Sequence, residues 1–327
     1  MSENISIASD WLPSIHSDNF NEKALQLFQF QYWNIPVYQQ YCNYIHKHPQ
    51  TIKSITQIPF LPISFFKSHK VFNASLPEKL IFESSGTTGM TPSRHYIAHP
   101  EYYEYAFLKG FKQFYGDPKD YIFLGLLPSY LERQHSSLVY MVQHLMNESN
   151  HSLNGFYLDD WNQLSEILQK KTDRKIFFIG VTFALLDFAE AFPMNLKDVI
   201  VMETGGMKGR KEEWTRMQVH DFLKRQWNLK SVHSEFGMSE MLSQAYSKGN
   251  GIFKTSSTLK VLLRDENDPL CTFEKGSGCI NVIDLANIDS CAFIATEDIG
   301  KVSEDNTFEV LGRRDSAALR GCSLMVV

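Results

Sequence analysis

The stretch Glu83-Ser84-Ser85-Gly86-Thr87-Thr88-Gly89-Met90-Thr91-Pro92-Ser93 directly follows the apolar run Leu80-Ile81-Phe82. Glycines allow a backbone to fold so that several N–H groups converge on one spot. The hydroxyls of Ser84, Ser85, Thr87 and Thr88 add donors, and the sum is a cup suited to phosphate oxygens. A solvated surface turn has the same composition. The stretch lacks a Gly-Lys-Ser/Thr ending, which excludes a Walker A loop.

Three other segments carry comparable chemistry. Glu203-Thr204-Gly205-Gly206-Met207 follows an apolar run and offers a glycine pair beside a ligand. Glu235-Phe236-Gly237-Met238-Ser239-Glu240 brings together a ring that could stack on a base and a carboxylate, Glu240, that could share a Mg²⁺ with phosphates. A core aromatic and a solvated glutamate would read the same way. Thr296-Glu297-Asp298 places a carboxylate where ribose hydroxyls could bind, and Gly312-Arg313-Arg314-Asp315 supplies a guanidinium; turn chemistry accounts for both equally well. Cys42, Cys271, Cys279, Cys291 and Cys322 contain no C-x-x-C pair, which argues against a disulfide framework and a zinc site. Four of them read as small core residues. Cys322, in Arg320-Gly321-Cys322-Ser323-Leu324, has a basic neighbour and a glycine and is placed to react. His95, His135 and His233 are possible acid–base groups without an assigned role.

The elements that must position these residues alternate. Helical spacing marks 19–30 and 35–46, an extended connector fills 54–66, and Pro100 opens a helix running to Tyr115. Tyr121–Leu127 is continuously apolar, as expected of a strand buried on both faces. Helices at 137–146, 161–170, 182–191 and 208–227 alternate with strands at 175–179, 198–202 and 230–233, which implies a mainly parallel sheet covered on both sides. Beyond Gly251 the pattern becomes β-like at 258–263, 279–283, 291–295 and 307–311. The division is a mostly helical cap (1–70), an α/β core (71–250) and a β-rich subdomain with tail (251–327). Apolar side chains of 121–127 and 178–188 are candidates for the lining of a pocket, which the resemblance described below would make an acyl pocket, and core packing explains them as readily.

With 327 residues and 43% apolar content the chain can bury a large core. A net charge of −5, from 32 basic and 37 acidic residues, comes without a long basic run and excludes an electrostatic nucleic-acid surface. No signal peptide or membrane span is evident, so a cytoplasmic protein is expected.

The order of the segments is more specific than any one of them. Ser-Ser-Gly-Thr-Thr-Gly, Gly-Gly, Phe-Gly-Met-Ser-Glu, Thr-Glu-Asp and Gly-Arg-x-Asp, from Ser84 to Asp315, resemble the signatures of the adenylate-forming superfamily. Within it the chain is similar to phenylacetate-CoA ligases and more so to LuxE-type acyl-protein synthetases. The latter likeness rests on Met90-Thr91-Pro92 in place of Pro-Lys, on Leu127-Pro-Ser-Tyr-Leu-Glu-Arg133 with Ser136-Ser-Leu-Val139, and on the ending around Cys322.

The resemblance implies the large α/β N-terminal domain of an adenylate-forming enzyme, with mainly parallel sheets flanked by helices and a smaller β-rich subdomain. Twelve residues follow Asp315, so the C-terminal swinging domain and its lysine are expected to be absent. It implies ATP and Mg²⁺ as cofactors and a carboxylic acid, fatty by family habit, as substrate. ATP would contact Ser84, Ser85, Gly86, Thr87, Thr88, Gly89, Gly205, Gly206, Met207, Glu235, Phe236, Gly237, Met238, Ser239, Asp298 and Arg313. Glu240 would hold the metal, Thr88 would assist the chemistry, and Cys322 would accept the acyl group for an acyl reductase or acyltransferase partner. Two alternatives stay open: an acid–thiol ligase acting on CoA or a carrier protein, and a nucleotide-binding subunit of little activity.

Overall fold

The apolar runs take the shape their periodicity dictates. The computed structural model describes residues 7–8, 10–84, 91–127, 134–205 and 214–314. The chain begins with helices α1 (Phe20–Asn34) and α2 (Pro36–Tyr44), the latter opened by a proline whose missing N–H would be unpaired there anyway. The connector that follows holds a two-residue strand, β1 (Leu61–Pro62), and a single turn, α3 (Phe65–Ser68). β2 (Leu80–Glu83) and β3 (Arg94–Ile97) pair antiparallel, Leu80 opposite Ile97 and Glu83 opposite Arg94. The hydroxyl-rich loop is therefore carried at the end of a two-stranded hairpin; residues 85–90 of it lie outside the described residues.

Next comes the alternating core. Strands β4 (Tyr121–Leu126), β5 (Gly155–Phe156), β6 (Lys175–Val181), β7 (Ile200–Thr204) and β8 (His233–Phe236) run parallel in the order β5-β4-β6-β7-β8. Every residue of β4 is buried, as a strand covered on both faces requires. Helices α4 (Pro100–Tyr115) and α5 (Ser137–Ser149) close one face, packing Phe111 and Val142 against Phe123, Phe177 and Met202. Helices α6 (Trp161–Gln169), α7 (Thr182–Ala191) and α8 (Arg216–Trp227) close the other around Phe178, Phe188 and Trp227. Thr215 caps α8 by accepting from Gln218 N, and residues 206–213 before it lie outside the described residues.

Strand β9 (Ala245–Ser247) is antiparallel to β8, and β10 (Ile252–Thr255) pairs with β9 on one side. On its other side β10 meets the last strand of an antiparallel set: β11 (Leu259–Arg264), β12 (Thr272–Phe273), β13 (Gly276–Asp284), β14 (Phe293–Val302) and β15 (Phe308–Arg313). The sheet thus continues across residue 251, and β1 adds to it by pairing in parallel with β14. The helical cap shares a core with this part, Tyr38 stacking on Phe293 at 6.0 Å between ring centres. Among the described residues no helix is long and apolar enough to cross a membrane.

Two strand boundaries and one cysteine differ from the sequence reading, the boundaries because pairing overrides local pattern. Strand β8 begins at His233 rather than Lys230, so Glu235 and Phe236 belong to a strand. Asp298 lies within β14 rather than at its end, since β14 extends to Val302. Cys271 is exposed in the turn before β12, while Cys42, Cys279 and Cys291 are buried.

The cap is fastened by one fully buried amide. Gln31 Nε2 donates to Asn287 O at 2.7 Å, to Ile288 O at 3.1 Å and to Ser290 O, and its Oε1 accepts from Ala292 N at 2.9 Å. Replacing Gln31 by Ala strands these backbone groups away from water, and we expect a loss of about 2–4 kcal/mol in urea unfolding. A Gln26→Ala variant, which loses only a surface bond to Glu22, should change stability by less than about 0.5 kcal/mol.

Candidate functional site

The base of the hairpin loop is closed from both sides. Ser84 N donates to Ser93 O at 3.1 Å, and Ser93 N donates to Ser84 Oγ at 2.9 Å. The loop after β8 is fixed to this hairpin, because Ser239 Oγ donates to Glu83 O at 3.3 Å. A second link runs through buried His95 of β3, whose Nδ1 lies 2.9 Å from Ser239 O and whose Nε2 lies 3.0 Å from Asn287 Oδ1. Asn287 Nδ2 donates to Glu240 O and Cys291 O, both at 3.0 Å. Asp284 grips the next turn, accepting from Leu242 N at 2.6 Å and Ser243 N at 3.0 Å.

Glu240 is held here with 6% of its surface exposed. Burial raises its carboxyl above the ordinary range, and the Ser93 hydroxyl, Arg313 and Lys67 partly offset that rise. The Ser93 hydroxyl faces this carboxyl yet has no hydrogen-bond partner at normal distance. A buried carboxyl beside a spare hydroxyl fits a hard cation that takes oxygen ligands. Among the described residues no three His, Cys, Asp or Glu side chains gather to hold a metal alone, so a Mg²⁺ at Glu240 would depend on phosphate oxygens.

Asp298 and Arg313 stand opposite each other on β14 and β15, with Nε 3.4 Å from Oδ1. Burial raises the Asp298 carboxyl and Arg313 opposes the shift. The approach to Asp298 is fixed by Arg264, which donates through Nη2 to Thr296 O at 2.5 Å and through Nη1 to Ile280 O at 2.9 Å. Phe236 is buried and meets Phe253 and Phe308 edge-on, with centroids 6.0 and 5.4 Å away.

At the end of β7, Gly205 adopts φ +78°, a conformation that favours glycine. Thr182 Oγ1 points at both Glu203 Oε2, 3.0 Å away, and Gly205 O, 2.7 Å away. Burial alone would raise the Glu203 carboxyl; a hydrogen bond from His220 and the charge of Arg216 outweigh it and hold it below the ordinary range. Arg216 Nε lies 3.2 Å from Glu203 and its Nη1 donates to Val310 O at 3.3 Å, joining α8 to β15. Sequence reasoning gave no role to Thr182, Arg216 or Asn287. Thr182, at the turn between a strand and a helix, is the one with a signal that could have been used.

Glu235 faces the opposite side of the sheet from Glu203. Thr204 Oγ1 donates to its Oε2 at 2.6 Å, and a Cβ on Gly237 would lie 2.3 Å from its Oε1, so any other residue there would push the carboxyl aside. Burial pushes this carboxyl up to about 7.

Beneath it, Phe111, Phe123, Phe177, Ile179, Met202 and Tyr246 enclose a cavity of about 10 Å³. Of the residues read as a possible acyl pocket, Phe123 and Ile179 line this space. Phe178, Leu185 and Phe188 instead fill the core on the other face of the sheet.

The structure therefore gathers Ser84, Ser239, Glu240, Asp298 and Arg313, with Glu235, Phe236, Gly237 and Met238 adjoining Ser239 along the chain, while Gly205 stands at the end of the neighbouring strand β7. Ser85, Gly86, Thr87, Thr88, Gly89, Gly206, Met207 and Cys322 lie outside the described residues.

Neither protein-family models nor curated proteins match the sequence. Solved structures do. An open form of 2-hydroxyisobutyryl-CoA ligase, holding 2-HIB-AMP and CoA, aligns over 90% of this chain and 69% of its own at 12% identity, with a TM-score of 0.65. ATP-bound MatB from Rhodopseudomonas palustris aligns over 71% of this chain at 14% identity and TM-score 0.55. A long-chain-fatty-acid-CoA ligase from Archaeoglobus fulgidus aligns over 77% of this chain and 55% of its own at 17% identity and TM-score 0.54. The fold is that of the large N-terminal domain of adenylate-forming enzymes. The matched part spans about half of MatB, 47% of its length. At these identities the likeness speaks for the fold alone.

Glu235 gives a pH prediction. The folded chain keeps its proton up to about pH 7, whereas an unconstrained glutamate releases it near 4.5, so stability falls as pH rises between those values. Glu235→Gln should therefore gain on the wild type by on the order of 1–2 kcal/mol in urea unfolding at pH 8 relative to pH 5.5. An equal difference at both pH values would contradict the assignment.

Proposed function

We propose that this chain activates a carboxylic acid with ATP to an acyl-adenylate and passes the acyl group to a protein thiol, Cys322. The observation that carries the reading is the meeting of the hairpin loop base, Glu240 and the Asp298–Arg313 pair. It lies beyond the carboxyl ends of the parallel strands, where such sheets bind ligands. The fold neighbours add support, since one holds ATP and another holds an acyl-AMP.

In this mechanism a carboxylate oxygen attacks the α-phosphorus of ATP, and the bond to the β-phosphate oxygen breaks as pyrophosphate leaves. Ser84, Ser85, Thr87 and Thr88, with the N–H groups around Gly86 and Gly89, hold the charge developing on the departing phosphates. Mg²⁺, when bound at Glu240, supplies Lewis-acid neutralisation of that charge. The Gly205-Gly206-Met207 backbone and Phe236 frame the adenine, while Asp298 accepts from the ribose hydroxyls and Arg313 steadies Asp298. Residues 237–239 carry Glu240 into place against the hairpin. The Cys322 thiolate sulfur then attacks the acyl carbon, AMP departs with the bridging oxygen, and a thioester forms. Such a thioester requires a consumer, either an acyl reductase or an acyltransferase.

A second reading, transfer to CoA, is favoured by the CoA bound to the 2-hydroxyisobutyryl-CoA ligase. One experiment separates the two: acid-dependent ATP–pyrophosphate exchange combined with intact-mass measurement after incubation with ATP, Mg²⁺ and fatty acids of graded length. Protein-thiol transfer predicts exchange together with a mass gain of one acyl group that is absent in Cys322→Ala, while exchange itself continues in that variant. Acyl-CoA formation with an unmodified protein would support the ligase, and no exchange with any acid would reject both. Thr88→Ala should slow exchange about a hundredfold through lost transition-state contacts.

A further inference from the structure

On the face of the sheet that carries Glu235, two buried polar groups lack a hydrogen-bond partner. Glu235 pairs directly with Tyr246 across β8 and β9, and Thr204 is its partner on β7, so all three side chains share one face. Gln244, two residues before Tyr246, points the same way and comes within 3.7 Å of where a Cβ on Gly237 would be. Tyr246 and Gln244 are each 3% exposed, and neither the Tyr246 hydroxyl nor Gln244 Oε1 has a hydrogen-bond partner. The Gln244 amide nitrogen is already committed to Leu242 O at 3.2 Å, which leaves its oxygen as the free end. The Glu235 carboxyl accepts one bond, from Thr204, and no Lys, Arg or His among the described residues pairs with it. Tyr246 also forms part of the wall of the apolar cavity.

Leaving a buried polar group unpaired destabilises the fold, and leaving a carboxyl without a cation does so more. Two such groups, with a carboxyl that has no cation, beside an apolar cavity have the chemistry of a polar subsite whose amide oxygen and carboxylate can only accept. We infer that Glu235, Tyr246 and Gln244 form a specificity subsite for a hydrogen-bond donor on the chain of the bound acid, an ammonium or a hydroxyl group. This rests on the acid-activating reading above and refines it: the preferred substrate is an amino- or hydroxy-substituted acid rather than a plain alkyl one. The subsite would ionise Glu235 when it takes an ammonium group and would leave its proton in place when it takes a hydroxyl.

Calorimetric binding to the full chain tests this, with hexanoate and hexanoates bearing an amino or hydroxyl group at carbon 2, 3 or 6 as probes. At least one substituted acid should bind about tenfold or more tighter than hexanoate. That advantage should vanish in Glu235→Leu and shrink in Tyr246→Phe, the second variant guarding against misfolding of the first. Repeating the titration at pH 7 in two buffers of different ionisation enthalpy identifies the donor: proton release accompanies an ammonium ligand and not a hydroxyl. The inference is overturned if hexanoate binds as tightly as every substituted acid, if the advantage survives both variants, or if no acid binds. Pyrophosphate exchange run alongside keeps the two readings apart. A donor preference in binding without exchange would remove the proposed activity and leave the subsite. Exchange with plain hexanoate and no donor preference would do the reverse.

Discussion

The candidate site depends on one buried amide. Asn287 spends both hydrogens of its Nδ2 on Glu240 O and Cys291 O, and this fixes its Oδ1 toward His95. His95 belongs to the strand that leaves the hydroxyl-rich loop, so Asn287, together with the Ser239–Glu83 bond, sets the distance between that loop and Glu240. Gln31 clamps the segment that carries Asn287 from the other side, which ties the helical cap to the same point. The arrangement is under tension: both ring nitrogens of His95 face acceptors, which favours the doubly protonated ring, while burial pushes its pKa down to about 4. Networks of this kind specify one geometry because each partial alternative leaves a buried group unpaired.

Two neighbouring strands show how environment assigns roles to identical side chains. Glu203 on β7 faces α8, where His220 and Arg216 keep it ionised, and it serves to hold Thr182 and the Gly205 turn. Glu235 on β8 faces α4 and the cavity, has Thr204 as its hydrogen-bond donor, and stays protonated to about pH 7. Desolvation acts on both, and the cation near one of them decides the difference. The first carboxyl is built into the scaffold, and the second lies beside a small apolar cavity whose wall includes its cross-strand neighbour Tyr246.

Much of this was legible in the sequence, for reasons that differ by element. Tyr121–Leu126 and Thr182–Ala191 were readable because a buried strand and a covered helix impose strong apolar patterns on their own residues. The placement of Glu240 near the hairpin was anticipated from the order of motifs rather than from their spacing. Asn287, Arg216 and Gln31 were invisible, since their bonds cross hundreds of residues or join elements whose pairing no local pattern encodes. Glu235 was placed in a loop and Asp298 at a strand end because turn-forming neighbours mask a strand whose length is set by its partners. Alternation also divides the apolar run of β6 in a way its composition hides: successive residues of a strand point to opposite faces, so Phe177 and Phe178 line different cores.

The central claim is that a carboxylate oxygen attacks the α-phosphorus of ATP at this site. Its most direct test is a turnover experiment with an acid labelled with ¹⁸O in both carboxyl oxygens, followed by mass analysis of the nucleotide released. The account predicts AMP carrying one ¹⁸O in its phosphate for each acyl group transferred, because the bridging oxygen leaves with the phosphate. Unlabelled AMP, or ADP and phosphate as products, would contradict it.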